Sequence, residues 1–459
     1  MGSWVWAILA GCTEPEEETD PGPPPVQAEI GEAGCSVDEG NRLRVTCTVT
    51  LDAPAPVVLT IDGRELSSEE PAETHVLRVY RLHADTGYPW TVTTDAGVLE
   101  GTVETGKLPK PMQFVPNVTS TAAATVEHVL VPFACEPGPW MTVVDREGDV
   151  VWYQDVGHGD EGMVVPVEGY SYTEDDTILA LVGRERVTET DWHGDHLLDI
   201  EDSELDLPVH HDAFRKDGRT YVLNASAWPA SDGDTYVEDG VYVFEGDTLL
   251  TRWELHGRYD PALSPPIESG FWDPFYPGAI DWSHANGLLV EDSGDWLLSF
   301  RHLDAVMRVR GVDHPDFGEV VWALTGRPNP SVPSDFTLTT EAGPAGFFSQ
   351  HHPHWSSDGE LMLFDNRAGT PEPARGIDVA LGETAMTAAI ESEWPIDGQC
   401  DVQGSMFELP SGNRLLTCAS SRVVVEVDPA GEEVWSFAPT CTDPSNVLMT
   451  RAVPLPADF

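Results

Sequence analysis

Positive charge is what this chain has least of. Its 459 residues carry 24 Lys and Arg against 79 Asp and Glu, a formal net charge of −55. A general nucleic-acid binder needs a basic face, so that class is excluded. Charge-driven docking on anionic lipid is excluded on the same ground. An acidic surface of this kind keeps a protein soluble, commonly in salt, and says nothing of fold. An anionic substrate would need a positive field made locally by its site. Long apolar runs are missing too. No segment past the N-terminus reaches the ~18 consecutive apolar residues of a membrane-spanning helix. No stretch keeps the 3.6-residue period of an amphipathic helix, and 41 Gly and 38 Pro interrupt the chain every few residues. No Cys-x-x-Cys pair occurs, which argues against a zinc–thiolate centre.

What remains reads as all-β. Hydrophobic residues at 41% and aromatics at 9% suffice for a packed core. Residues 26–108 hold short alternating runs (RLRVTCTVTL, VVLTID, HVLRVYRL, YPWTVTT) separated by turn residues, the pattern of a small immunoglobulin-like β-sandwich. Residues 107–111 form a linker. From 112 to 459 a weak repeat sets in. One half is a turn and an apolar strand: DDTILALV, DGRTYVLN, SGDWLLSF, DGELMLFD, SGNRLLTC. The other half is a strand ending in Trp152, Trp253, Trp322, Trp394 or Trp435. If one unit between Trp152 and Trp253 lacks its Trp, the spacing averages about 57 residues, near propeller repeat lengths. A six-bladed β-propeller over 112–459 is expected, because each sheet then buries both faces on its neighbours.

The N-terminus carries a second signal. Leu9-Ala10-Gly11-Cys12 resembles a bacterial lipobox, in which Cys12 becomes the lipidated first residue. Residues 13–25 are acidic and Pro-rich, unable to bury anything, and read as a tether. Residues 1–25 are therefore expected to be signal and tether. The protein is expected to be exported to the cell envelope of a bacterium, lipid-anchored, and facing the periplasm or cell surface. Six further cysteines suggest disulfides. Local strand geometry favours Cys35–Cys47 and Cys400–Cys418, which leaves Cys135–Cys441.

Chemistry concentrates in four segments: Val209-His210-His211-Asp212, Asp281-Trp282-Ser283-His284-Ala285-Asn286, Ser299-Phe300-Arg301-His302, and Phe348-Ser349-Gln350-His351-His352-Pro353-His354. Each is expected on, or at the start of, the innermost strand of a repeat unit. A single His at a strand end is more often a surface or satisfied core residue. Recurrence at one phase of separate repeats is not explained by packing. Imidazole can act as a neutral nucleophile or proton carrier near neutral pH. Arginine's fork matches the oxygens of a sulfate or phosphate. Several His and one Arg, with no acid obviously among them, make an anion-transfer site.

DWSHAN, then SFRHLDAV with Arg301 17 residues after His284, then WALTGR, FSQHHPHW and LFDN, resemble bacterial arylsulfate sulfotransferases in kind and order. GSMFELPSGNRLLTCASSRVVVEVDPAGEEVWSF and SNVLMTRAVPL are similar to that family's last repeat and closing strand. The resemblance spans roughly residues 110–459. It implies a six-bladed propeller moving a sulfuryl group from a phenolic sulfate to a phenol through a sulfohistidine, with no cofactor. It implies His351 as nucleophile, His284 and Asn286 holding and protonating the phenolic oxygen, and Arg301 gripping the sulfuryl oxygens. His211 would assist with charge or proton transfer. His210 could replace His211, and His352 could replace His351. The pairs His211-Asp212 and Gln350-His351 favour the members named first. Partners would be small aryl sulfates and phenols, no nucleic acid, and membrane only through Cys12. Water as acceptor would make a sulfatase. A metal-dependent hydrolase built on the His clusters and a non-catalytic ligand-binding propeller are the competing classes.

Overall fold

The computed structural model describes residues 28–459 except 158–164, 202–203, 265–268, 340–345, 443–448 and 458. Cys12 and the tether expected over 1–25 lie outside the described residues. Strands dominate. Helix among the described residues is confined to three single 3-10 turns, Lys110–Met112, Pro261–Leu263 and Arg301–Leu303. None of these is long and apolar enough to cross a membrane.

Two compact units are present. The smaller takes the described residues up to Cys35, then Cys47–Leu77 and Pro89–Thr102; the larger takes Ser36–Thr46, Arg78–Tyr88 and Val103–Phe459. The first five strands, Ile30–Val37, Val45–Ile61, Arg64–Val79, Gly87–Thr94 and Gly97–Glu104, form one hydrogen-bonded sheet. Along Val45–Ile61 the buried Val45, Cys47, Val49 and Leu51 alternate with more exposed threonines, the period of a strand with one face in a core. The Cys35–Cys47 disulfide ties the first two strands together.

The described part of the larger unit holds six sheets of four or five strands. The recurring turn-and-strand halves of the sequence are the second strands of five of these sheets, such as Ile178–Val182, Trp296–Phe300 and Arg414–Cys418. The Trp-ending halves are fourth strands: Val150–Asp155, Thr248–Glu254, Val320–Thr325, Thr387–Pro395 and Glu433–Phe437. The remaining sheet ends in His196–Ile200, which has no Trp, and this accounts for the long gap from Trp152 to Trp253. The tryptophans join sheets. The indole N–H of Trp152 donates to the Trp192 carbonyl at 2.8 Å, that of Trp253 to Gly318 at 3.0 Å, and that of Trp435 to Arg146 at 2.8 Å. Each acceptor lies on the following sheet, counting the first as following the last. Burying an indole N–H without a partner costs part of what its apolar area gains, and these three tryptophans avoid that cost, whereas the buried Trp322 N–H has no partner among the described residues.

The ends of the chain complete two sheets begun elsewhere. Val453–Leu455 pairs with His128–Val131, and Val118–Ser120 pairs with Glu433–Phe437. The Cys135–Cys441 disulfide clamps the same region, and Cys400–Cys418 the last sheet. The three pairings are those the sequence suggested. Pairing both ends removes strand edges that would otherwise be open to another chain. First strands of successive sheets are neighbours: Val167–Tyr172, Val209–Lys216, Ala285–Val290, His351–Trp355 and Ser405–Glu408 contact one another in that order. Residues distant in sequence therefore meet wherever first strands carry chemistry.

Candidate active site

Three first strands lose register at the histidine motifs. The shifts fall between Val209 and Ala213, between Ala285 and Gly287, and between His351 and His354. Beside them His211, His284 and His352 adopt φ of 58°, 49° and 53°. A non-glycine residue held there costs on the order of 1–3 kcal/mol, and such positions gather at functional sites. An irregular strand re-aims a side chain that a regular one would bury in the sheet. Two glycines permit the close approach. A Cβ at Gly169 would lie 2.1 Å from the His211 carbonyl oxygen, and one at Gly287 would lie 2.3 Å from Pro353.

His211, His284 and His351 come together. Ring centroids are 4.9 Å apart for His211 and His284 and 6.4 Å apart for His211 and His351, and all three residues are buried. Arg301 joins them from the 3-10 turn that follows the second strand of the same sheet, not from a first strand. Its backbone N–H donates to the His284 carbonyl at 2.9 Å. Its guanidinium donates to the Asp401 carbonyl at 3.0 Å and has no carboxylate at ion-pair distance among the described residues. Its charge depresses the pKa of both His284 and His351.

The other expected residues are placed differently. His210 is fully buried behind His211, with its Nδ1 2.9 Å from the His211 Nδ1 and its ring edge-on to Trp272. Its Nε2 lies 2.9 Å from Asp239 Oδ1, off the line of a hydrogen bond. His352 faces another group, against Phe407 at 4.4 Å and stacked with His354 at 5.5 Å. Asn286 donates from Nδ2 to the Gln350 carbonyl at 2.7 Å, and its Oδ1 is buried without a partner. The sequence companions also diverge. Asp212 meets Arg451 at 3.1 Å, and Gln350 donates to Ser299, Phe300 and Ala305.

Acidic residues do stand among these groups, contrary to expectation. His284 Nδ1 is 2.7 Å from Asp281 Oδ2. Asp281 belongs to the DWSHAN motif, so its position three residues earlier was a usable signal. Asp239 had none. His351 Nδ1 is 2.7 Å from Asn366 Oδ1. Asn366 is locked the right way round, since its Nδ2 donates to the carbonyls of Cys400 and Gln403 at 2.5 and 2.7 Å. The ring therefore donates from Nδ1 and keeps a lone pair on Nε2, which the Gln403 N–H approaches at 3.2 Å. Burial, then the Arg301 charge, pushes His351 down to about 3. Burial likewise holds His211 and His284 well below the ordinary value. It raises Asp281, with His302 pulling the other way. The three imidazoles are neutral bases at neutral pH, beside one fixed cation.

Ligand atoms of Asp281, His284 and His302 lie within 4.8 Å of one another and could hold a metal ion. His302 Nδ1 sits 2.8 Å from the Asp281 carbonyl oxygen and so carries a proton that a metal would have to displace. His83, Asp145 and Asp149 form a second such group, at the surface. The sequence reading also missed Phe271. Its ring lies 5.1 Å from His211 and 4.8 Å from His284, with the Arg184 guanidinium 3.7 Å from its centroid. Phe271, Phe275, Arg184 and Glu168 line a cavity of about 610 Å³. A larger one, about 1270 Å³, is lined by Arg327, Phe348 and Arg375.

No curated protein sequence matches the chain. Solved structures that resemble it do so distantly. A Bacteroides caccae protein of unknown function is 12% identical, with 72% of this chain and 98% of that one covered at a TM-score of 0.41. Virginiamycin B lyase from Staphylococcus aureus is 8% identical, with coverage of 72% and 90% and a TM-score of 0.36. A quinoprotein alcohol dehydrogenase-like protein from Bacteroides thetaiotaomicron is 9% identical, with coverage of 91% and 95% and a TM-score of 0.33. The family model described as arylsulfotransferase (ASST) matches residues 117–391, more than half of the chain, and the chain belongs to that family.

Proposed function

We propose that this protein moves a sulfuryl group from a phenolic sulfate to a phenolic acceptor through a sulfohistidine at His351, in ping-pong fashion. The observation that carries the reading is His351 itself: a buried, neutral imidazole whose Nδ1 is tied to Asn366 and whose Nε2 accepts from the Gln403 N–H, within the field of Arg301 and with the His211 ring 6.4 Å away. Nε2 attacks sulfur, the sulfur–oxygen bond to the donor breaks, and the donor leaves as its phenolate. The acceptor phenol then gives its proton to the Nε2 of neutral His284 as its oxygen attacks sulfur and the nitrogen–sulfur bond breaks, and His284 passes that proton on to solvent or the departed phenolate. Arg301 holds the sulfuryl oxygens, as charge stabilisation in a dry site requires. Asn286 offers its free Oδ1 to a phenolic O–H, and His211, backed by His210, carries charge beside the reacting centre. His352 has no part in this scheme, because it faces Phe407. The scheme needs no nucleotide.

The same proposal includes the finer architecture: the six sheets as blades of a propeller over 112–459, preceded by an immunoglobulin-like sandwich over 26–108. Three disulfides point to an extracytoplasmic protein. Anchoring through Cys12 in the bacterial envelope completes the reading. The test is a chromogenic aryl sulfate assay, with and without added phenol, on wild type and His351→Ala. Acceptor-dependent phenol release that disappears in the variant is expected. Release without acceptor would make the protein a sulfatase. Loss of activity in EDTA would favour a metal at Asp281, His284 and His302. Full activity of His351→Ala would overturn the assignment.

A further inference from the structure

We infer that the two reacting histidines are told apart by the group behind each ring: Asp281 positions His284 as the acid–base residue, and Asn366 positions His351 as the nucleophile. The inference rests on the sulfotransfer reading and assigns the division of labour within it. Both imidazoles use the same atom at the same distance, Nδ1 at 2.7 Å from an oxygen. One oxygen belongs to a carboxyl group and the other to an amide. That single difference has chemical consequences.

A carboxylate behind an imidazole favours the tautomer with hydrogen on Nδ1 and stabilises the imidazolium once Nε2 gains a proton. His284 can then take the acceptor phenol's proton at Nε2 without becoming an uncompensated buried cation. An amide oxygen holds the same tautomer and adds no charge. His351 is thereby oriented without being made more basic, and its Nε2 lone pair, which accepts from the Gln403 N–H at 3.2 Å, attacks sulfur once that bond gives way, in a site that holds Arg301. When the nitrogen–sulfur bond forms, the proton on Nδ1 stays where it is, and the sulfuryl oxygens carry the balancing negative charge. Asn366 cannot turn round to offer its N–H groups, because both are taken by backbone carbonyls. Asp281 is not rivalled by a cation: it has His302 Nδ1 at 3.6 Å on its other oxygen and no Lys or Arg at ion-pair distance among the described residues.

The test uses Asp281→Asn and Asn366→Ala in the full chain, with one activated aryl sulfate donor and a series of acceptor phenols of rising pKa. Asp281→Asn can present an N–H to Nδ1 and drive the His284 proton to Nε2, which then cannot take the acceptor's proton. It should lower kcat for weakly acidic acceptors by about 10²–10⁴-fold while leaving acidic ones within about tenfold. KM for the donor should be unchanged. Asn366→Ala should lower kcat by a similar factor for every acceptor, because it loosens the nucleophile and not the proton carrier. Nitrogen-15 imidazole NMR supplies a readout independent of turnover. His284 and His351 should both carry Nδ1–H in wild type, and only His284 should switch to Nε2–H in Asp281→Asn. Equal losses for all acceptors in Asp281→Asn, or a His284 with hydrogen on Nε2 in wild type, would overturn the inference. If the wild type transfers no sulfuryl group, the sulfotransfer reading falls alone, and the tautomers still decide whether these partners act as argued.

Discussion

His351 and His352 are chain neighbours that lie in two different histidine clusters. His351 sits with His211, His284 and Arg301; His352 sits with His354, Phe407 and Arg451. Burial depresses the histidine pKa in both places, to about 3 at His351 and about 4 at His354. A perturbed imidazole therefore does not mark the site. The arginines do. Arg451 is neutralised by Asp212 at 3.1 Å and also donates to the Tyr170 carbonyl. Arg301 meets a single carbonyl oxygen and keeps its charge available. One cluster pairs its arginine with a carboxylate, and in the other Arg301 has none at ion-pair distance among the described residues, so its field is open to an anion. That field is notable in a chain of net charge −55, where any anion approaches against repulsion.

The comparison breaks most sharply at the arginines. Arg301→Leu should lower kcat/KM by about 10²–10³-fold with the unfolding midpoint in urea little changed. Arg451→Leu should do the reverse. It strands the buried Asp212 carboxylate, which costs on the order of 3–5 kcal/mol, so the urea midpoint should fall steeply. If both variants lose activity alone, the two clusters do not differ as argued.

Acid should separate the histidines from the carboxyls. The folded-state pKa of His211, His284, His351, His352 and His354 is held below the ordinary value. An unfolded chain then binds more protons than the folded one once pH drops below about 6.5, so this stability is complete above that pH and falls with it. Burial raises the folded-state pKa of Asp212, Asp281 and Asp365, which act in the opposite sense as pH falls through their raised values. Urea midpoints should fall between pH 7.5 and 5.5, and His351→Phe should flatten that slope. A midpoint independent of pH over this interval would mean the imidazoles are already protonated in the fold.

The smallest effect concerns the surface. Raising ionic strength from about 0.05 to 0.5 M shortens the screening length from over 10 Å to about 4 Å. With 79 acidic side chains against 24 basic ones, the melting temperature should rise by a few degrees. Turnover in the buried site should change less than the melting temperature, since buried pairs are screened least.

Much of the architecture was legible because it repeats. A Trp at the end of each fourth strand leaves a periodic trace, and the one sheet without it, ending in His196–Ile200, is where the period skipped. The site was legible in part. His211, His284 and His351 stood out as polar types recurring at the same phase, and Arg301 by its motif. Their partners Asp281 and Asn366 lie in the DWSHAN and LFDN motifs, but the motifs alone did not tie them to these rings. Asp212 and Gln350 stood beside the right histidines in sequence and hold other groups in the fold. Asp239 and Phe271 come from segments with no motif at all.

By itself the sequence determined an acidic, all-β chain with an even set of cysteines after Cys12 and a set of histidines at repeating positions. These follow from composition and short-range spacing, which the chain carries locally. Only the tertiary structure decided which histidines meet, which oxygen stands behind each ring, and which arginine is left without a counter-charge. The reason is physical. Adjacent residues such as His351 and His352 are sent to different clusters by one irregular strand and one positive φ. The partners that then set tautomer and charge can arrive from segments far away in sequence, as Asp401, 100 residues on, does to Arg301.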